Sequence, residues 1–96
     1  MTAILFGHIG DGNLHVSPLN PTPMKQEEFM DKCYEADQDL FSLVQKHGGS
    51  ISAEHGIGIL KKKALHFSRT PAEIAVMKEM KKIFDPLGLL NPGKIF

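Results

Sequence analysis

Four side chains stand out by type and spacing: His8, His15, Glu54 and His55. Imidazole and carboxylate groups together suit a divalent metal, and two histidines with one glutamate leave coordination positions open to a substrate. A site of that kind acts as a Lewis acid toward a bound oxygen rather than as a structural staple. On one helix, His8 and His15 would lie about 10 Å apart along the axis, awkward for a shared ion. A hairpin changes this. Between them lies Asp11-Gly12, a strong turn signal, and a turn centred there pairs Gly10 with Asn13, Ile9 with Leu14 and His8 with His15, a register that survives if the loop widens to Gly10 through Asn13. Directly opposed residues hold their Cβ atoms about 4.5–5.5 Å apart on one face, close enough for two imidazoles to converge on one cation. The expected ligands are therefore His8 and His15, with Glu54 as the third because it follows a short apolar run and opens a loop. His55 would point another way in an extended segment and is the candidate general base. The plainer alternative for Glu54-His55-Gly56 is a solvated turn, since loops carry glutamate and histidine commonly. His47, near a helix end, and His66, beside Phe67, have structural roles as the simpler reading.

These residues need elements to position them. Ala3 to Phe6 and Leu14 to Leu19 are short apolar runs on either side of Gly10-Asp11-Gly12-Asn13 and predict two antiparallel strands. Pro18, Pro21 and Pro23 then forbid regular structure, and Thr22-Pro23 offers an N-cap and first helical residue. From Phe29 the apolar positions Cys33, Ala36, Leu40, Leu43, Val44 and His47 follow one helix face, which Gly48-Gly49 ends. Ser50 to Ala53 predicts a short third strand, and Glu54 to Gly58 a glycine-rich loop leaving it. Thr70-Pro71-Ala72-Glu73 is a capping box with proline at the first helical position; Ile74, Met77, Met80, Ile83 and Phe84 continue the stripe until Asp85-Pro86-Leu87-Gly88. Asn91-Pro92-Gly93-Lys94 makes a closing turn. The glycine spacings around Gly7 to Gly12 and Gly56 to Gly58 do not match the dinucleotide-binding fingerprint.

Composition narrows the function classes. Lys plus Arg and Asp plus Glu both number 11 in 96 residues, so no charge excess attracts phosphate backbones or anionic lipid, and neither nucleic acid nor a membrane surface is an expected partner. Lys61-Lys62-Lys63 suits a solvated helix face. No apolar run is long enough to span a bilayer. The single Cys33 has no internal partner and lies in an apolar-periodic helix as a packed thiol, which points to a reducing, intracellular setting. A chain of this length buries roughly 60–65% of its unfolded surface, so a missing partner domain would leave apolar area exposed.

The string Gly7-His8-Ile9-Gly10-Asp11-Gly12-Asn13-Leu14-His15, followed by Ser52-Ala53-Glu54-His55-Gly56-Ile57-Gly58 and ending in Asn91-Pro92-Gly93-Lys94, resembles the C-terminal domain of FAD-linked oxidases. That family includes D-lactate, D-2-hydroxyglutarate and glycolate dehydrogenases. The resemblance implies that His8, His15 and Glu54 hold a divalent metal, commonly zinc. It also implies that His55 takes the hydroxyl proton of a 2-hydroxyacid, as a substrate-contacting base, while a hydride passes to FAD. In the D-2-hydroxyglutarate branch an asparagine often stands two residues after the second motif histidine and touches substrate. Ser17 holds that place here, followed by Pro18, which makes Ser17 a substrate-binding candidate and leans toward glycolate or D-lactate.

The same resemblance implies an α+β fold: a partial antiparallel sheet with two long helices, a fragment of the family's ferredoxin-like substrate domain. Residues 1–96 are then the C-terminal part of the substrate and metal domain, with the FAD-binding domain absent and no FAD-binding residue assigned. The isolated fragment is expected to be inactive and to self-associate. The full-length enzyme is expected in the cytoplasm or peripheral to the inner membrane. Two other readings remain open: a metal-dependent hydrolase using the same open site on water, and a non-catalytic self-associating module.

Overall fold

The computed structural model describes residues 2–20 and 24–96. The chain divides into two compact units, residues 1–40 and 41–96. Strands and helices together make it α+β, with one two-stranded antiparallel sheet among the described residues.

In the first unit, β1 (Thr2–His8) pairs with β2 (Asn13–Leu19). The connecting loop, residues 9–12, is wider than a two-residue turn. Asp11 Oδ1 accepts a hydrogen bond from the Asn13 N–H at 3.2 Å, and Gly12 takes φ 72°, a left-handed conformation that glycine adopts without steric cost. Side chains alternate across the sheet, so the pairing sorts them into two faces. Ala3, Leu5, Gly7, Leu14, Val16 and Pro18 share one, entirely apolar; His8, Asn13, His15 and Ser17 share the other with Thr2, Ile4, Phe6 and Leu19. Gly7 is required by close approach: a Cβ there would lie 1.9 Å from the Asn13 carbonyl oxygen.

Helix α1 (Gln26–Lys46) runs through the division between the units. The proposed cap at Thr22-Pro23 lies outside the described residues. Phe29, Cys33, Leu40 and Val44 of the expected face are half-buried, whereas Ala36, Leu43 and His47 are exposed. The C-terminus forms as the glycines predict: Gly48 takes φ 68°, and the Gly49 N–H donates to the Val44 carbonyl at 2.9 Å.

The second unit has a small core of Ile51, Ala64 and Leu65. The expected third strand at Ser50–Ala53 is absent among the described residues, because side chains claim the backbone groups a ladder would use. The Ser68 hydroxyl accepts from the Ile51 N–H at 2.9 Å, Lys61 Nζ donates to the Ile51 carbonyl at 2.7 Å, and Ser50 Oγ bonds to both the N–H and the carbonyl of Ser52. Lys61 is therefore not a solvated helix-face residue. A 3₁₀ helix (Lys62–Phe67) follows, and its Phe67 ring meets Phe41 at 5.9 Å and His66 at 4.2 Å.

Helix α2 (Pro71–Phe84) starts with both halves of the capping box formed: Glu73 N–H to Thr70 Oγ1 at 3.2 Å and Thr70 N–H to the Glu73 carboxylate at 2.7 Å. Ile74 and Met77 are half-buried, while Met80, Ile83 and Phe84 are exposed, so Met80 does not fill a core as its place in the stripe suggests. Beyond the helix, buried Asp85 accepts from Lys81 Nζ at 2.6 Å and from the Leu89 and Leu90 N–H groups at 2.9 and 3.0 Å. These three donors, the Lys81 ammonium first, hold the Asp85 carboxyl below its ordinary pKa. Among the described residues no helix is long and apolar enough to cross a membrane.

Candidate functional site

The hairpin gathers three of the candidate residues. His8, His15 and Ser17 lie on one face of the sheet, but His8 and His15 are not directly opposed. His8 faces Asn13, and His15 faces Phe6. The expected pairing is out by two residues because the loop, residues 9–12, is centred between Gly10 and Asp11, one residue earlier than a turn centred on Asp11-Gly12. A shift of two preserves the face, so the imidazoles become diagonal neighbours, for which Cβ separations run to about 7–8 Å. That distance still lets two long side chains approach a common point, with less freedom than the opposed pair would have had.

Two neighbours on this face carry information that the sequence reading missed. The Phe6 and His15 rings are parallel, with centroids 4.8 Å apart and 8° between planes. Stacking removes one side of the imidazole from water and restricts its rotation. Asn13, treated above only as a turn residue, is half-buried opposite His8; its Oδ1 is buried and, among the described residues, has no hydrogen-bond partner. Period-two alternation from a correct register would have identified both.

In the second unit Glu54 and His55 sit at the exposed crest of a loop whose ends are fixed. Its start is Ile51, buried and held through both backbone groups by Ser68 and Lys61. Its width is set by the Ser52 hydroxyl donating to the Gly56 carbonyl at 3.0 Å. Its far side, Gly58, offers its carbonyl to the Ile95 N–H at 2.8 Å. The loop is thus a stapled excursion that bends at residues 53–55, not the exit of a strand.

Two imidazoles and a carboxylate remain a chemically suitable donor set for a borderline metal such as zinc. Among the described residues, however, no group of three or more histidine, cysteine, aspartate or glutamate side chains is gathered in a way that could hold a metal ion. The hairpin alone supplies two donors on one face and, in Ser17, a hydroxyl beside them.

Comparison with known proteins agrees with this motif arrangement. Residues 1–95 match the family described as FAD linked oxidases, C-terminal domain. A D-2-hydroxyglutarate dehydrogenase of Stutzerimonas stutzeri is 55% identical over 93 residues, 97% of this chain and 20% of that protein. The mitochondrial D-2-hydroxyglutarate dehydrogenase of Arabidopsis thaliana is 40% identical over 94% of this chain and 15% of its own length. Glycolate oxidase subunit GlcD of Bacillus subtilis is 40% identical over 95% of this chain and 19% of its own length. No solved structure gives a significant match. The chain spans about a fifth of the length of the curated relatives it matches. With the match running over nearly all of its residues, the chain belongs to the C-terminal domain family of FAD-linked oxidases.

Proposed function

We propose that this chain is the substrate-side segment of a flavin-dependent dehydrogenase that oxidises a small D-2-hydroxyacid to the 2-oxoacid. The observation that carries the reading is the family match over residues 1–95, joined to a hairpin face that presents His8, His15 and Ser17 together. The flavin, bound mainly by a domain outside this chain, would accept the hydride from the substrate carbon. His55 takes the hydroxyl proton as that hydride leaves, acting as the general base. The Ser17 hydroxyl donates a hydrogen bond to the substrate. His8, His15 and Glu54 are the residues that would hold a divalent metal, zinc by donor chemistry, which would polarise the substrate oxygen.

On substrate choice, Ser17 in place of an asparagine favours glycolate or D-lactate. A second reading, D-2-hydroxyglutarate, is favoured by the names of relatives 55% and 48% identical to this chain. Anaerobic mixing of the full-length protein with glycolate, D-lactate and D-2-hydroxyglutarate decides between them: the true substrate bleaches the flavin absorbance within the turnover time. No bleaching by any of the three would overturn the dehydrogenase reading, and hydrolysis of an ester or amide by metal-loaded protein would replace it with the hydrolase alternative.

A further inference from the structure

We infer that the C-terminal turn, residues 91–96, is a positioning element for the loop carrying Glu54 and His55, and that Ile95 acts through its backbone N–H. The inference rests on the role proposed above for His55. Two of the sequence motifs, Glu54 to Gly58 and Asn91 to Lys94, are far apart in the chain, yet a 2.8 Å hydrogen bond from Ile95 N to Gly58 O joins their ends.

The loop needs such a tie. Gly56 and Gly58 adopt φ 74° and 55°, and glycine backbones left to themselves sample many conformations. The near end is anchored by buried Ile51, the far end by the Ile57 carbonyl accepting from Lys61 N at 3.2 Å and by Ile95.

The donor is held in a conformation it would not choose. Ile95 has φ 71°, and a β-branched side chain in that region is strained. Such strain persists only where the surroundings impose it. Here Lys62 Nζ donates to the Gly93 carbonyl at 3.3 Å, Lys94 Nζ to Asn91 Oδ1 at 3.1 Å, and Phe96 N to the Lys94 carbonyl at 2.9 Å. Released from these contacts, the backbone at Ile95 would relax to an extended φ and lose the bond to Gly58. The turn keeps Ile95 N–H aimed at the loop, and a general base tolerates little displacement, since an error of about 1 Å can cost on the order of a hundredfold in rate.

The test compares two substitutions in the full-length protein. Ile95→Pro removes the N–H and cannot adopt positive φ, whereas Ile95→Gly keeps the donor and accepts the conformation without strain. Ile95→Pro should speed amide hydrogen exchange within residues 52–58 by about tenfold and lower the rate of flavin reduction by about ten- to a hundredfold, with substrate KM and bound flavin near parent values. Ile95→Gly should restore both readouts. Unchanged exchange at residues 52–58 in Ile95→Pro would overturn the inference, as would acceleration spread evenly over residues 41–96 or equal damage in both variants. If the parent enzyme reduces no flavin with any 2-hydroxyacid, the dehydrogenase reading fails, and the exchange comparison alone still judges whether Ile95 holds the loop.

Discussion

The Phe6 ring stacks on the His15 imidazole at 4.8 Å, and the two residues are direct partners across β1 and β2. The contact fixes the ring plane of one proposed metal ligand. An aromatic pair is worth about 0.5–1.5 kcal/mol beyond its buried area, equivalent to roughly a two- to tenfold change in an equilibrium constant. Phe6→Leu should therefore weaken zinc binding to the full-length protein by roughly that factor, whereas His15→Ala should abolish it. Competition with a chromophoric chelator measures both. Equal affinity in Phe6→Leu and parent would show that the stack does not orient the ligand.

His55 and Glu54 are adjacent in sequence but should fail differently. His55→Ala should slow flavin reduction by about 10²–10⁴-fold, the usual range for losing a general base, while metal content stays near one ion per chain. Glu54→Ala should lose metal and weaken substrate binding. Elemental analysis beside stopped-flow absorbance separates the two, and the reverse pattern would exchange the roles.

The Asp85 clamp makes stability of the second unit depend on acid pH. Its carboxyl is depressed in the folded state, first by Lys81 and then by the Leu90 and Leu89 N–H groups. A depressed carboxyl contributes stability that is fully present above its unfolded pKa and is lost as pH falls through its folded one. Asp85→Asn should lower Tm at neutral pH, and the gap between parent and variant should close progressively below about pH 4. Thermal scans at stepped pH follow this; a gap that stays constant to acid pH would remove the charge from the explanation.

Gly7 admits no side chain. A methyl group would overlap the Asn13 carbonyl oxygen, an obstacle in the backbone that cannot rotate away. Gly7→Ala should destabilise by about 1–3 kcal/mol in denaturant titration and loosen the face that holds His8 and His15. Wild-type stability in this variant would mean that the strands can part at no cost.

The isolated chain should self-associate. Leu5 and Leu14 on the apolar sheet face are 60% and 57% exposed, and Ile83 and Phe84 on α2 are 75% and 79% exposed. Apolar area on this scale drives association in the absence of its normal covering. Sedimentation velocity should show mass growing with concentration, and a monomer throughout would refute the expectation.

Much of this architecture was legible from local chemistry. Thr70 and Glu73 announced the start of α2, Gly48 the end of α1, and the alternation around Asp11-Gly12 the hairpin, because each signal acts within a few residues of the chain. The register was not legible, since the Asp11-Gly12 signal marks that a turn is present without fixing the residue on which it centres, and the loop centres between Gly10 and Asp11. The error was even, so His8 and His15 kept their common face while losing their direct opposition. Ser50–Ala53 resembled a strand because its apolar and polar residues alternate, but Ser68 and Lys61, distant in sequence, claim the Ile51 backbone. Those partners are invisible to any local window. Phe6 and Ile95 were missed for the same reason: each matters through a residue that folding brings to it.

Four ammonium groups, on Lys61, Lys62, Lys81 and Lys94, are spent on carbonyl or amide oxygens of the second unit. Acylating a lysine removes its charge and most of its donor capacity. The hairpin from Thr2 to Asn20 contains no lysine at all. Lysine acetylation or carbamylation of this chain would therefore act asymmetrically, placing no modified lysine on the hairpin while releasing the Ile51 carbonyl that anchors the start of the Glu54-His55 loop and the oxygens of Gly93, Leu90 and Asn91 near the C-terminal turn.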